Sequence, residues 1–231
     1  MAIGLALFFG IKLPQNFNSP YKSSSLIEFW RNWHISLSSF LRNYLYIPLG
    51  GSKKGPLKTY FNLFITMVLG GIWHGAGWNF LIWGIWHGLG LCGNHFLRKW
   101  ISLNRYVGII FTFIFVVIGW VFFRAHDLPQ SLAIVKKMPL VFTAWTTEMG
   151  ASVWMHSRKD LIMLLASALI IWGFPNTERL KYFVRRLILS TLRQNFSALI
   201  FTLFLSLVLA LLFVFCLVRM SSPQAFIYYQ F

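Results

Sequence analysis

The chain has 231 residues, 57% hydrophobic, 19% aromatic and 11% charged, with a net charge of +16. A soluble domain carries about 25% charged residues, and several apolar runs here approach the roughly 20 residues that cross a bilayer as a helix; an integral membrane protein is expected and a soluble one excluded. The positive charge does not indicate nucleic acid, because Lys53, Lys54 and Lys58, then Arg98, Lys99 and Arg105, then Arg179, Lys181, Arg185, Arg186 and Arg193 lie between apolar segments, as in loops and snorkelling helix ends, with no groove-reading motif beside them.

In chain order, MAIGLALFFGIKLPQNF opens on an apolar run too short to span, without a basic leader or a small-residue cleavage site. Residues 1–13 therefore read as the remnant of a transmembrane helix, and the chain as the C-terminal piece of something longer. A Pro/Asn/Ser-rich loop, 14–25, follows, and Ser24 or Ser25 with Glu28 forms a capping-box pattern. One amphipathic helix is expected over 26–46. Trp30, Trp33, Leu37, Phe40 and Tyr44 share one arc, and Arg31, His34, Ser38 and Arg42 a neighbouring one. Such a helix lies at the interface or lines a polar cavity inside a bundle.

Pro48, Gly50 and Gly51 end that helix, and SKKGPLK reads as an exposed basic loop. Residues 60–97 read as a broken helix, interrupted at Gly75 and Gly77, at and just after the first copy of the twice-written string G-I-W-H-G. Non-helical backbone at membrane depth is tolerated only where protein buries it or it lines a wet cavity. Transmembrane spans are expected at 106–124 and 196–218. Between them come an amphipathic turn reaching Lys136 and Lys137, a mixed segment 140–160 at an interface or in a loop, an apolar run 161–174 short for a span, and a basic stretch. Cys92 and Cys216 lie in apolar segments and read as small core hydrophobes rather than a disulfide framework.

Histidine is costly in such surroundings, and there are six. His95, His126 and His156 stand beside Arg98, Asp127 and Arg158 near segment ends and read as interfacial, without chemistry. His74 sits where glycines interrupt the helix, and an intramembrane ionisable residue is a functional-site hypothesis. His87 is thirteen residues on, about 220° around an unbroken helix, so the two need not share a task. His34 lies on the polar face of its helix. No two histidines are three, four or five apart, which argues against a histidine-rich metal site. No G-x-S-x-G elbow is present either. General-base work remains, in which a neutral imidazole takes the proton of a hydroxyl attacking an activated acyl group; burial favours the neutral ring.

The strings EFWRNWHISLSSFLRNYLYIPLGGSKKG (28–55) and NLFITMVLGGIWHGAGWNFLIWGIWHG (62–88), with MAIGLALFFGIKLPQNFNSPY, GWVFFRA and FIYYQF in order around them, resemble the membrane-bound O-acyltransferase family and within it the branch that acetylates bacterial polysaccharides. The resemblance implies an all-α membrane bundle around a tunnel, with a re-entrant or interfacial helix near the start; residues 1–231 would be the C-terminal part of one such domain. It makes His74 the catalytic residue and His34 a second active-site residue. Asn79, His87, Trp73, Trp78, Arg31 and Ser38 are candidate tunnel or substrate contacts, and no metal or bound cofactor is implied. The acyl donor would be a thioester such as acetyl-CoA or an acyl carrier, the acceptor an exported polysaccharide with alginate the first candidate, the partners periplasmic acetylation proteins, and the location the cell inner membrane. Acetylation of cellulose or peptidoglycan and D-alanylation of teichoic acid are alternatives within the family. Outside enzymology, a non-catalytic export channel and an inactive fragment remain open.

Overall fold

The computed structural model describes residues 2–140, 148–191 and 200–215 apart from 202, 205, 209 and 212, with side chains described over 3–140, 161–186 and the same residues of the last segment. It falls into two units, residues 1–174 and 175–231. All regular structure among the described residues is helical.

A short helix α1 (Ala2–Phe8) leads through a loop and a 3-10 turn at Pro20–Lys22 to α2 (Leu26–Asn32). The start of α2 is a capping box: Glu28 N donates to Ser25 Oγ at 3.2 Å, and Ser24 N donates to Glu28 Oε2 at 2.7 Å. The single helix expected over 26–46 is in fact broken. Trp33 is extended and His34 left-handed (φ 42°, ψ 57°) before α3 (Ile35–Leu41), which runs into a π-helical turn at Arg42–Tyr46. The cause is tertiary. Asn16 accepts from Ile35 N through its main-chain carbonyl at 3.0 Å and from Ser36 N through Oδ1 at 2.9 Å. The loop thus satisfies donors that a continuous helix would have paired internally.

The central pair is α4 (Pro56–His74) and α5 (Trp78–Leu97), antiparallel neighbours joined by a three-residue reversal. They cross backbone to backbone. A Cβ on Gly71 would stand 2.9 Å from Gly84 Cα and 2.5 Å from Phe80 O, and one on Gly84 2.7 Å from Met67 O. Small residues at such a crossing let helices approach where lipid offers no hydrophobic drive between them. The twice-written string is thereby explained: Gly71 and Gly84 are its two first glycines, and they meet.

Helix α6 (Arg105–Arg124), capped by Asn104, is the one helix among the described residues long and apolar enough by itself to cross a membrane, with mean hydropathy 2.5. α4 and α5 have comparable length but carry Asn62, Thr66, His74, Asn79 and His87, all turned inward and at most 8% exposed. Leu26, Phe29, Met67, Leu91 and Val116 form the core, so α2 is packed among α4, α5 and α6.

Asp127 caps α7 (Leu128–Lys137), accepting from Gln130 N at 2.8 Å. The segment 140–160, expected at an interface or in a loop, is helical from 148 onward, within α8 (Glu148–Gly173); joined to the apolar run that follows, its mixed residues extend one helix. The end of α8 docks near α2, where Trp172 Nε1 donates to Tyr21 O at 3.2 Å and Lys22 Nζ to Phe174 O at 2.5 Å. The second unit contains α9 (Thr177–Thr191) and an apolar helical stretch Ser206–Phe215. The expected span 196–218 lies partly outside the described residues, as do Cys216 and the side chain of His156.

Candidate active site

Three histidines gather with the tryptophans of α2, α5 and α6. His74, the last residue of α4, is 8% exposed. Its ring centre lies 5.0 Å from Trp73, 5.3 Å from Trp83 and 5.0 Å from Phe123. His87, one face of α5 further on, is fully buried, 4.9 Å from Trp83 and 5.2 Å from Trp30. The Trp83 indole therefore packs against both imidazoles. His34 packs 6.2 Å from Phe17 and lies near enough for a charge on its ring to act on His74.

The polar side chains of this interior divide into two groups. Asn62 Nδ2 donates to Gly51 O at 2.9 Å, Thr66 Oγ1 to Asn62 O at 2.6 Å, and Asn79 Nδ2 to Ala125 O at 3.0 Å. These clamp loops and helix ends. Nδ1 of His34, Nδ1 of His74 and both nitrogens of His87 are buried without a protein partner, as are the indole nitrogens of Trp30, Trp83 and Trp120 and the Oδ1 of Asn62. Buried polar atoms are normally hydrogen-bonded, which sets these atoms apart from the rest of the interior.

A cavity of about 870 Å³ opens beside this cluster. Arg31, Ser38 and Arg42 line it from α2, α3 and the π turn, Tyr60, Thr66 and Met67 from α4, and Leu91, His95, Arg98 and Lys99 from α5 and the residues after it. Its ionisable wall includes no Asp or Glu. Ser38 Oγ is committed to Trp33 O at 3.0 Å. None of His34, His74 and His87 lines the cavity; Trp30 does, and it also meets His87 and Trp83.

Of the residues singled out from sequence, the structure brings His34, His74 and His87 together and puts Arg31 and Ser38 on the cavity. Trp73 and Trp78, expected as pocket walls, flank the α4–α5 reversal and are 63% and 72% exposed; neither lines the cavity. Asn79, expected to offer a polar contact, spends its amide on Ala125 and fastens the start of α5 to the end of α6. His95, expected to be interfacial and idle, lines the cavity, with Arg42, Arg98 and Lys99, for which the sequence suggests no site role. The only signal for these was positive charge, which loops show as well. Among the described residues no three His, Cys, Asp or Glu side chains gather at metal-binding distance.

The chain belongs to the membrane-bound O-acyltransferase family, whose model matches residues 1–126. It is 48% identical over 143 residues to the peptidoglycan O-acetyltransferase of Helicobacter pylori, covering 60% of this chain and 27% of that protein. It is 54% identical over 134 residues to the probable alginate O-acetylase AlgI of Pseudomonas fluorescens, covering 55% and 26%. With the teichoic acid D-alanyltransferase of Bacillus subtilis it shares 36% identity over 141 residues, covering 53% and 35%. The chain thus spans about a quarter to a third of the length of these relatives.

Proposed function

We propose that the chain forms part of a membrane O-acyltransferase that places an acyl group, acetyl in the first instance, on hydroxyls of an exported polysaccharide. The observation that carries this is the His34–His74 pair: a buried imidazole beside a half-buried one, each with a buried Nδ1 that has no protein partner, in the stretch the family model matches. Neutral His74 takes the proton of a sugar hydroxyl as its oxygen attacks the thioester carbonyl. The carbon–sulfur bond breaks, and the departing thiolate takes the proton back from the imidazolium. His34, close to His74, stabilises the developing negative charge or orients the hydroxyl. The carbonyl between them belongs in a tunnel through a multi-helix bundle in the cytoplasmic membrane.

The donor reading rests on the cavity. Arg31, Arg42, His95, Arg98 and Lys99 suit a phosphate-bearing thioester, coenzyme A or the prosthetic arm of an acyl carrier, because guanidinium and ammonium groups hold phosphate oxygens by charge-assisted bonds. The acceptor reading rests on names of relatives. Those named for acetylation are 48% and 54% identical and the one named for D-alanylation 36%, which favours acetyl transfer to alginate or peptidoglycan with extracytoplasmic partner proteins completing delivery.

The test is His74→Ala in the full-length protein, followed by the acetyl content of the polymer the cells make. Loss of general-base catalysis should lower transfer by about 10²–10⁴-fold, to background. Wild-type acetylation by this variant would favour a non-catalytic export channel instead.

A further inference from the structure

Helix α9 lies outside the family match, in the second unit. Wound at 100° per residue, its sequence TERLKYFVRRLILST puts Leu180, Phe183 and Val184 on one stripe, with Arg179, Lys181, Arg185 and Arg186 beside and opposite it. Leu180 is 42% exposed and Phe183 62%. Asn176 starts the helix, its Oδ1 accepting from Arg179 N at 2.9 Å. Glu178, its one acid, pairs with Lys181 at 2.8 Å. No acid among the described residues pairs with Arg179, Arg185 or Arg186.

A strongly two-faced helix with a charged face and modest overall hydrophobicity is the signature of a helix lying in the membrane interface rather than across it. The charge identifies the surface it fits. Four cations against one acid complement a layer of anionic headgroups, each basic residue near such a surface being worth about 1 kcal/mol, roughly fivefold in binding. We propose that α9 is an in-plane helix whose Leu180–Phe183–Val184 stripe enters the boundary between headgroups and acyl chains while its arginines hold the phosphates of anionic lipid. The proposal is independent of the acyl-transfer reading, because it uses no residue of the histidine cluster or the cavity.

The experiment uses the full chain with Cys92→Ala and Cys216→Ala, carrying an environment-sensitive fluorophore on Phe183→Cys or on Tyr182→Cys. The protein is placed in nanodiscs of phosphatidylcholine with or without phosphatidylglycerol. At position 183 the probe should be blue-shifted and quenched by lipids labelled high on the acyl chain. At position 182 it should be quenched from water by iodide. Arg185→Gln with Arg186→Gln should cut the preference for anionic discs by roughly 25-fold, two fivefold steps, and Arg185→Lys with Arg186→Lys should keep it. Shielding of position 183 from both lipid and water quenchers would mean that protein covers the stripe, overturning the proposal. So would equal water access at both positions, or no dependence on phosphatidylglycerol.

Discussion

His34 occupies a backbone conformation that non-glycine residues rarely adopt, at φ 42°. A residue held there costs about 1–3 kcal/mol, which the surrounding structure must over-determine. Here the two acceptors of Asn16 on Ile35 and Ser36 do so. Backbone strain at a residue whose Nδ1 is buried and unpartnered separates into two testable parts. His34→Gly relieves the backbone and removes the imidazole; it should melt at or above the wild-type temperature in detergent while polymer acetylation is lost. His34→Val, branched at Cβ in the same conformation, should lose acetylation and stability together, by about 1–3 kcal/mol. Equal acetylation by the glycine variant and wild type would assign His34 to folding alone. His87 is constrained differently. A Cβ on Gly119 would come within 2.6 Å of its Nε2, so α6 presents bare backbone to that ring.

Among the helices, the α4–α5 hairpin has the least tolerance. A methyl group at Gly84 would meet Met67 O at 2.7 Å and Val68 Cα at 3.0 Å, backbone atoms that cannot rotate away. Gly84→Ala should therefore destabilise the protein by about 1–3 kcal/mol, the usual cost of overpacking, read as a lower unfolding midpoint in mild detergent. Gly93→Ala, with open space around it, is the matched control and should be neutral or slightly stabilising. The interruption at 75–77 was legible because Gly75 and Gly77 mark it within an apolar run, and α6 because eighteen uncharged residues separate Arg105 from Arg124. The break at Trp33–His34 was not legible. Local spacing over 26–46 suits a helix throughout, and the Asn16 acceptors that end it come from another part of the chain. Trp73 and Trp78 were a related case: Trp73 keeps its ring 5.0 Å from His74, yet both flank the chain reversal and stand mostly exposed, away from the cavity.

On the scale of the whole chain, histidine cluster and basic cavity are adjacent but separate, with Trp30 in both. The cavity was illegible from sequence because its cations come from distant segments: Arg31 and Arg42 from one, His95, Arg98 and Lys99 from another. If it receives the phosphates of the donor, Arg31→Gln with Arg98→Gln should raise the KM for acetyl-CoA at least roughly tenfold, the range for hydrogen bonds to charged groups, with kcat changed far less. Steady-state kinetics of the purified full-length protein at two ionic strengths would check this, and an unchanged KM would place donor binding elsewhere. One consequence of the α8 docking bears on how the protein can be handled. Trp172 and Phe174 grip the turn at Tyr21 and Lys22, just upstream of the helix that carries Trp30, from well past residue 126 where the family match stops. A gene trimmed to that boundary would encode all the imidazoles of the cluster and none of the buttress behind them.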